Sequence, residues 1–172
     1  MKNTCTAGVQ SKGFCFYKCT NGIKRHLAVD VLGFPVFTLC TRANVTDDQG
    51  LIDMFIHNER YFKERPEFLT PLTVLLNSGY HTDFIIKALE DHPAILNKVT
   101  FEISPKMSKE MKKELGLKGF VPVFKRWIVE RSNSWTEKCK SLIKNFEKTL
   151  ERANYKLQLC FMRLMLKNIA KA

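Results

Sequence analysis

Two strand-like runs around one turn constrain this chain more than any other feature. Arg25-His26-Leu27-Ala28-Val29-Asp30-Val31 has β character, Gly33-Phe34-Pro35 breaks it, and Val36-Phe37-Thr38-Leu39-Cys40-Thr41 resumes it. Such runs on either side of a Gly-containing turn predict a β-hairpin. Residues 1–24 are weakly patterned and read as a loop or a poor strand. Beyond the hairpin, the polar stretch Asn44 to Asp48 offers helix-capping side chains. A helix is predicted near Gln49 to Phe62, with Leu51, Ile52, Phe55, Ile56 and Tyr61 on one apolar face. Thr73-Val74-Leu75-Leu76 has the pattern of a central strand buried on both faces, and Asn77-Ser78-Gly79-Tyr80 ends it in a turn. Thr82 or Asp83 caps a helix running to about Asp91, Val99 to Ile103 reads as another strand, and Lys106 to Leu117 as a charged helix or mobile loop.

The last third is helical. Ile128, Trp135, Cys139, Leu142 and Phe146 recur at helical spacing, the mark of a core-facing stripe. Tyr155 to Ile169 is apolar almost all round and is expected to pack beneath the sheet. The order of hairpin, helix, central strand, helix, strand and long helices predicts an α/β fold with a mixed sheet, formed by residues 1–172 as a single domain.

Charge divides the chain. Residues 1–105 hold 11 Lys and Arg against 11 Asp and Glu, whereas residues 106–172 hold 17 against 6, so the whole net charge of +11 sits in this basic helical C-terminal part. Such asymmetry fits a polyanionic partner, nucleic acid first and anionic membrane second, or a merely solubilising surface. No apolar run reaches the roughly 18 residues of a membrane span, and Met1 to Lys12 lacks a signal-peptide core, so an intracellular location is expected. The six cysteines have irregular spacings without a Cys-x-x-Cys pair, so reduced, mostly buried thiols are expected rather than disulfides or a zinc site at Cys15, Cys19 and His26.

Several segments resemble one family in the same order. Ile23-Lys24-Arg25-His26-Leu27-Ala28-Val29-Asp30-Val31-Leu32-Gly33-Phe34-Pro35, continued by Ala43-Asn44-Val45-Thr46-Asp47-Asp48, is similar to the hairpin of bacterial insertion-sequence DDE transposases. Leu76-Asn77-Ser78-Gly79-Tyr80 resembles the family's strand end, usually Asp-x-Gly-Tyr. Phe120-Val121-Pro122-Val123, leading into Arg126-Trp127-Ile128-Val129-Glu130-Arg131-Ser132-Asn133-Ser134-Trp135, resembles the block around its catalytic glutamate. The closing Phe161-Met162-Arg163-Leu164-Met165-Leu166 also fits.

The resemblance implies a ribonuclease-H-like mixed sheet flanked by helices. It implies three carboxylates holding two Mg²⁺ ions, and strand transfer of DNA at transposon ends. Hard Mg²⁺ prefers anionic oxygens, and paired metals stabilise the attacking and leaving oxygens of in-line displacement. Glu130 matches the third acid and Asn77 stands at the second, while the first Asp falls ahead of Met1. On this reading the copy is N-terminally truncated, lacks the first strand, binds Mg²⁺ weakly at Glu130 and is catalytically impaired. The family's Tyr before the Arg, and its Lys after the Glu, fall at Val123 and Glu137, with Lys138 one place on. Arg126, Arg131, Lys138, Lys140 and Lys144 are the expected DNA contacts; Lys148, Arg152 and Lys156 continue that basic run. A cytoplasmic, nucleoid-associated protein follows, with a homo-oligomer or an intact transposase as possible protein partners and no membrane.

Other readings compete at single residues. Asp30 is a substitute carboxylate or, as Asp commonly is, a turn former with Gly33; Asp83 is a metal-site neighbour or a helix N-terminal charge. His26 is expected to be structural. Of Trp127 and Trp135, one is expected to cover the site and one to be core. The rival functions are an active nuclease using Glu130 with Asp30 or Asp83, a non-enzymatic DNA-binding remnant or regulator of an intact transposase, and a basic RNA-binding protein. The last needs strand aromatics for base stacking, and Phe34, Phe37 and Phe101 are few and scattered.

Overall fold

The computed structural model describes residues 2–3, 9–104 and 126–170, and the expectations for Lys106 to Leu117 and Phe120 to Val123 lie outside the described residues. The predicted hairpin is formed by β3 (Thr20–Val29) and β4 (Pro35–Arg42), preceded by the short strands β1 (Lys2–Asn3) and β2 (Gly13–Cys15). All three pair antiparallel with β3, giving a four-stranded sheet. The strand therefore begins well before the alternating side-chain pattern does. Its first residues, Thr20, Asn21 and Gly22, are held by backbone pairing to β2 and β1, which requires no apolar alternation.

Asp30 makes the turn. Its backbone pairs with Gly33 and Phe34, and its Oδ1 accepts from the N–H groups of Leu32 (2.9 Å) and Phe34 (2.8 Å). Gly33 takes the left-handed conformation, φ 83°, that closes the loop.

The pleat of the hairpin separates two cores. On one face lie His26, Ala28, Phe37 and Leu39; on the other lie Ile23, Leu27 and Cys40. Over the first face lies α1 (Asp47–His57), whose N-cap Thr46 accepts from the Gln49 N–H at 3.2 Å and whose first turn carries Asp47 and Asp48, favourable at a helix N-terminus. Leu51, Ile52, Met54 and Phe55 are buried. The predicted helix to Phe62 breaks at Asn58, whose side-chain amide donates to Met54 O at 2.7 Å. A separate helix, α2 (Glu59–Glu64), follows. The break re-aims the chain, so Phe62 is buried where Tyr61 was expected, and Ile56 and Tyr61 reach solvent.

Next come β5 (Leu72–Leu76), α3 (Thr82–Ala88), α4 (Pro93–Leu96) and β6 (Val99–Ile103). Among the described residues the strands of the expected mixed sheet divide between two sheets, one antiparallel and one parallel. β5 and β6 pair parallel, in register from Leu72 with Val99 to Leu76 with Ile103, and form a two-stranded sheet separate from the first. Nor is β5 buried on both faces: Val74 and Leu76 turn into the α1 core, while Thr73 and Leu75 are exposed. Among the described residues β5 has one neighbour strand, β6, and one packed face.

The C-terminal third forms α5 (Arg126–Lys138), α6 (Lys140–Ile143) and α7 (Leu150–Ile169). α7 packs on β4 through Ala153, Leu157, Cys160 and Phe161, and Asn154 accepts from Thr38 Oγ1 at 2.9 Å. It is beneath the sheet as expected, but on one face only. Leu159, Met162, Leu166 and Ile169 are exposed, so its all-round apolar composition does not mean all-round burial. No described helix is long and apolar enough to cross a membrane.

One core polar group ties stability to pH. His26 is 8% exposed, its Nε2 lies 2.8 Å from Thr41 Oγ1, and a Cβ on Gly50 of α1 would fall within 2.1 Å of its ring. Burial lowers its pKa below the ordinary 6.5 and Lys24 adds to this, against Asp47 and Asp53. The folded state thus holds a neutral imidazole, while the unfolded chain takes up a proton at the ordinary value. Stability is full above pH about 6.5 and is lost as pH falls from there towards the folded-state pKa. Thermal melts across this window are expected to show a falling midpoint, and His26→Gln, which cannot titrate, is expected to flatten that part of the profile. An unchanged profile in the variant would show that other groups govern it.

Candidate functional site

Helix α5 carries Glu130 and is clamped to the hairpin turn. Ser132, fully buried, donates its hydroxyl to Gly33 O at 2.6 Å. The Trp135 ring meets Phe34 with centroids 5.4 Å apart. The Arg131 guanidinium stacks between Trp127 (4.6 Å) and Trp135 (5.3 Å), and its buried Nε finds no hydrogen-bond partner among the described residues. The Arg131 side chain also approaches Gly33, where a Cβ would lie 3.2 Å from Nε. Arg131, one of the cations expected to face DNA, lies half-buried between these two rings. Both tryptophans serve that clamp, Trp127 from the half-exposed side. Glu130 and Ser134 lie on the exposed side of α5, and the Arg126 side chain lies outside the described residues.

Asn77 ends β5. Its Oδ1 accepts from the Gly79 N–H at 2.8 Å and its backbone carbonyl from the Tyr80 N–H at 3.2 Å, so the side chain builds the turn that the sequence predicted. The next residue along fixes this turn to α1. His81 Nδ1 lies 2.8 Å from Asp48 Oδ2, and its backbone N–H donates to Asp48 Oδ1 at 3.1 Å. Beside them the Tyr80 hydroxyl is pushed up to about 12, by burial and then by the charges of Asp47 and Asp48. The Asp48–His81 pair joins residues 33 apart, and no local pattern announces it. Asp83 is exposed in the first turn of α3, the helix-terminal role weighed for it.

These acidic positions belong to different parts of the fold. α5 packs on β3, α6 and α7, whereas Asn77 belongs to the β5–β6 sheet and Asp30 directs its Oδ1 to two backbone N–H groups. Among the described residues no three His, Cys, Asp or Glu side chains converge to hold a metal ion. His26 is engaged by Thr41, whose Oγ1 lies 2.8 Å from its Nε2.

The basic run is also redistributed. Lys138 ends α5, Lys140 starts α6, and Lys144 to Thr149 is not helical, so the run expected along helical sequence is interrupted there. Lys138, Lys140, Lys144, Lys148 and Arg152 are all exposed, while Lys156 pairs with Glu147 at 2.7 Å.

An antiparallel hairpin sheet and a parallel strand pair, both packed on α1, with basic helices behind, define a mixed α/β domain. The family model for the transposase DDE domain matches residues 7–166 of this chain. The chain belongs to that family, whose members transpose DNA and generally use a divalent metal ion. Comparison with curated proteins and with solved structures gives no match. The described donors do not fit the family's metal: Glu130 is a single carboxylate, Asn77 is an uncharged amide bonded to its own turn, and Asp30 is a turn former.

Proposed function

We propose that this chain is a DNA-binding member of the transposition machinery, with a ribonuclease-H-like core and impaired strand-transfer chemistry. The observation that carries the reading is the side chain of Asn77, which the resemblance sets at the family's second aspartate: its carbonyl oxygen already accepts from the Gly79 N–H. An amide supplies no charge to a hard divalent cation, so a site built on it loses the Coulomb attraction that gathers Mg²⁺. The order of antiparallel hairpin, α1 and parallel pair β5–β6 supports the ribonuclease-H-like assignment. Glu130 takes the position of the third acid, on a helix that Ser132 and Trp135 fix against the hairpin. Lys138, Lys140 and Lys144, exposed around the end of α5, contact phosphates without reading bases. A chain that binds DNA without cutting it acts as a remnant or regulator beside an intact transposase.

The test uses the full chain with duplex DNA and, separately, supercoiled plasmid. Binding followed by fluorescence anisotropy is expected to weaken steeply with salt and to vary little between unrelated sequences. Substituting Gln at Lys138, Lys140 and Lys144 together is expected to reduce the slope of log K against log salt by about 3. No nicking of plasmid is expected with Mg²⁺ or Mn²⁺. Nicking that Glu130→Ala abolishes would overturn the impairment, and a slope unchanged in the triple variant would remove these lysines from the interface.

A further inference from the structure

We propose that the turn between β2 and β3 is a stacking platform for the unpaired bases of single-stranded DNA. Lys12-Gly13-Phe14-Cys15-Phe16-Tyr17-Lys18 sets three aromatic rings between two lysines, with no aliphatic side chain among them. Phe16 is 83% exposed, Tyr17 93% and Phe14 39%. Large rings left in water side by side mark an interaction surface. The Phe14 and Phe16 rings meet edge to face with centroids 5.1 Å apart, so each braces the other. The strand aromatics Phe37 and Phe101 pack in the core instead and offer no free face to a ligand.

The backbone holds the rings out. β2 pairs with β3 from Gly13 with Gly22 to Cys15 with Thr20, and a 3₁₀ turn, Phe16–Lys18, joins them. Cys19 ends this turn at φ 44°, the one positive φ outside glycine among the described residues, and its N–H donates to Phe16 O at 3.3 Å. That conformation is uncommon for a residue with a side chain, and here it fixes where Phe16 and Tyr17 emerge. β2 is seated as well, since a side chain at Gly13 would collide with that of Asn44. Charge then selects the partner. Residues 1–29 hold Lys2, Lys12, Lys18, Lys24 and Arg25 and no Asp or Glu. Lys24 is engaged by Asp47 and Arg25 by the Leu142 carbonyl, whereas Lys12 and Lys18 have no ion-pair partner among the described residues. Phosphates meet these two ammonium groups, and bases, each with a π face, lie on the rings. A duplex hides its base faces, so the ligand is a single strand. The choice of DNA over RNA rests on the DNA-binding reading above; the platform itself shares no residue with Lys138, Lys140 and Lys144.

Fluorescence anisotropy with the full chain compares a short labelled oligothymidylate, an abasic strand of the same length and a duplex. The oligothymidylate is expected to bind at least about fivefold more tightly than the abasic strand, which carries the same phosphates. Phe16→Ala and Tyr17→Ala truncate exposed rings and should leave the fold intact by circular dichroism. Each is expected to weaken oligothymidylate binding at least about fivefold and to leave duplex binding unchanged. Phe68→Ala, an 86% exposed ring between α2 and β5, is expected to change neither. Gln at Lys138, Lys140 and Lys144 together should weaken duplex binding yet keep the preference for bases, so the two sites fail separately. Equal binding of the oligothymidylate and the abasic strand, or parental oligothymidylate binding by the Phe16 and Tyr17 variants, overturns the proposal. So does loss in those variants of phosphatidylserine-vesicle binding or of self-association, with oligothymidylate binding unmoved. Oligouridylate held more tightly than oligothymidylate overturns the choice of DNA.

Discussion

Phe55→Ala is expected to lower folding stability by about 3–5 kcal/mol. A small domain has only about 5–15 kcal/mol in total, so the variant should sit at the edge of unfolding. The magnitude follows from where the ring lies. Phe55 is 2% exposed and its ring centroid is 5.9 Å from Phe37 on β4, 5.5 Å from Phe62 on α2 and 5.5 Å from Phe101 on β6. It thus touches both sheets, which share no strand pairing in the described structure. Truncation removes dispersion contacts on three sides and leaves a cavity that neither sheet can close without moving relative to α1. Tyr61, on the edge of the same cluster and 41% exposed, provides the comparison: its loss opens onto solvent and leaves no enclosed void. Urea unfolding followed by circular dichroism measures the difference. The Phe55 variant should show either a large fall in midpoint or a broadened, non-coincident transition as the two sheets separate. A loss below about 1.5 kcal/mol, well short of the usual range for a buried Phe, would mean that α1 does not couple the sheets.

What the sequence announces and what it conceals divide along the range of the interaction. The hairpin is legible because its causes are local: alternation along β3 and β4, Asp30 bonding two N–H groups within four residues, and Gly33 at positive φ. The cap at Thr46 is legible for the same reason. The exposure of β5 is not, since an apolar run states that burial is possible and says nothing about which neighbours arrive; among the described residues β5 meets one strand and one core face, and Thr73 and Leu75 are exposed. The break at Asn58 escapes a periodicity argument because Phe62 continues an apolar count while the axis has already changed. At the candidate site, Asn77 can be read from its own turn sequence. The Asp48–His81 pair and the Ser132–Gly33 bond span 33 and 99 residues, and neither partner has a local signature. Arg131 shows the same limit in a different form. That Trp127 and Trp135, one turn to either side, flank its guanidinium is not announced by the basic pattern of the helix.

Gly33→Ala is the second large expected effect, and it bears on the site directly. Two costs combine at this position. At φ 83° a Cβ costs roughly 1–2 kcal/mol through its clash with the backbone. The same Cβ would stand 2.9 Å from Ser132 Oγ and 3.2 Å from Arg131 Nε, so the helix must retreat or the clamp must open, adding roughly 1–3 kcal/mol by the measure of overpacked cores. A total near 3 kcal/mol is expected. Its distribution distinguishes this account from a general loss of stability. Both tryptophans of the chain lie on α5, so withdrawal of that helix should move tryptophan emission to the red before the hairpin itself melts. Ser132→Ala removes the 2.6 Å bond without adding bulk, and should reproduce the emission change with a smaller stability loss. Because Glu130 is carried on α5, both variants displace the carboxylate without touching it. If Gly33→Ala melts within about 0.5 kcal/mol of the parent and leaves the emission unmoved, the turn does not position the helix, and Glu130 must owe its place to β3, α6 and α7.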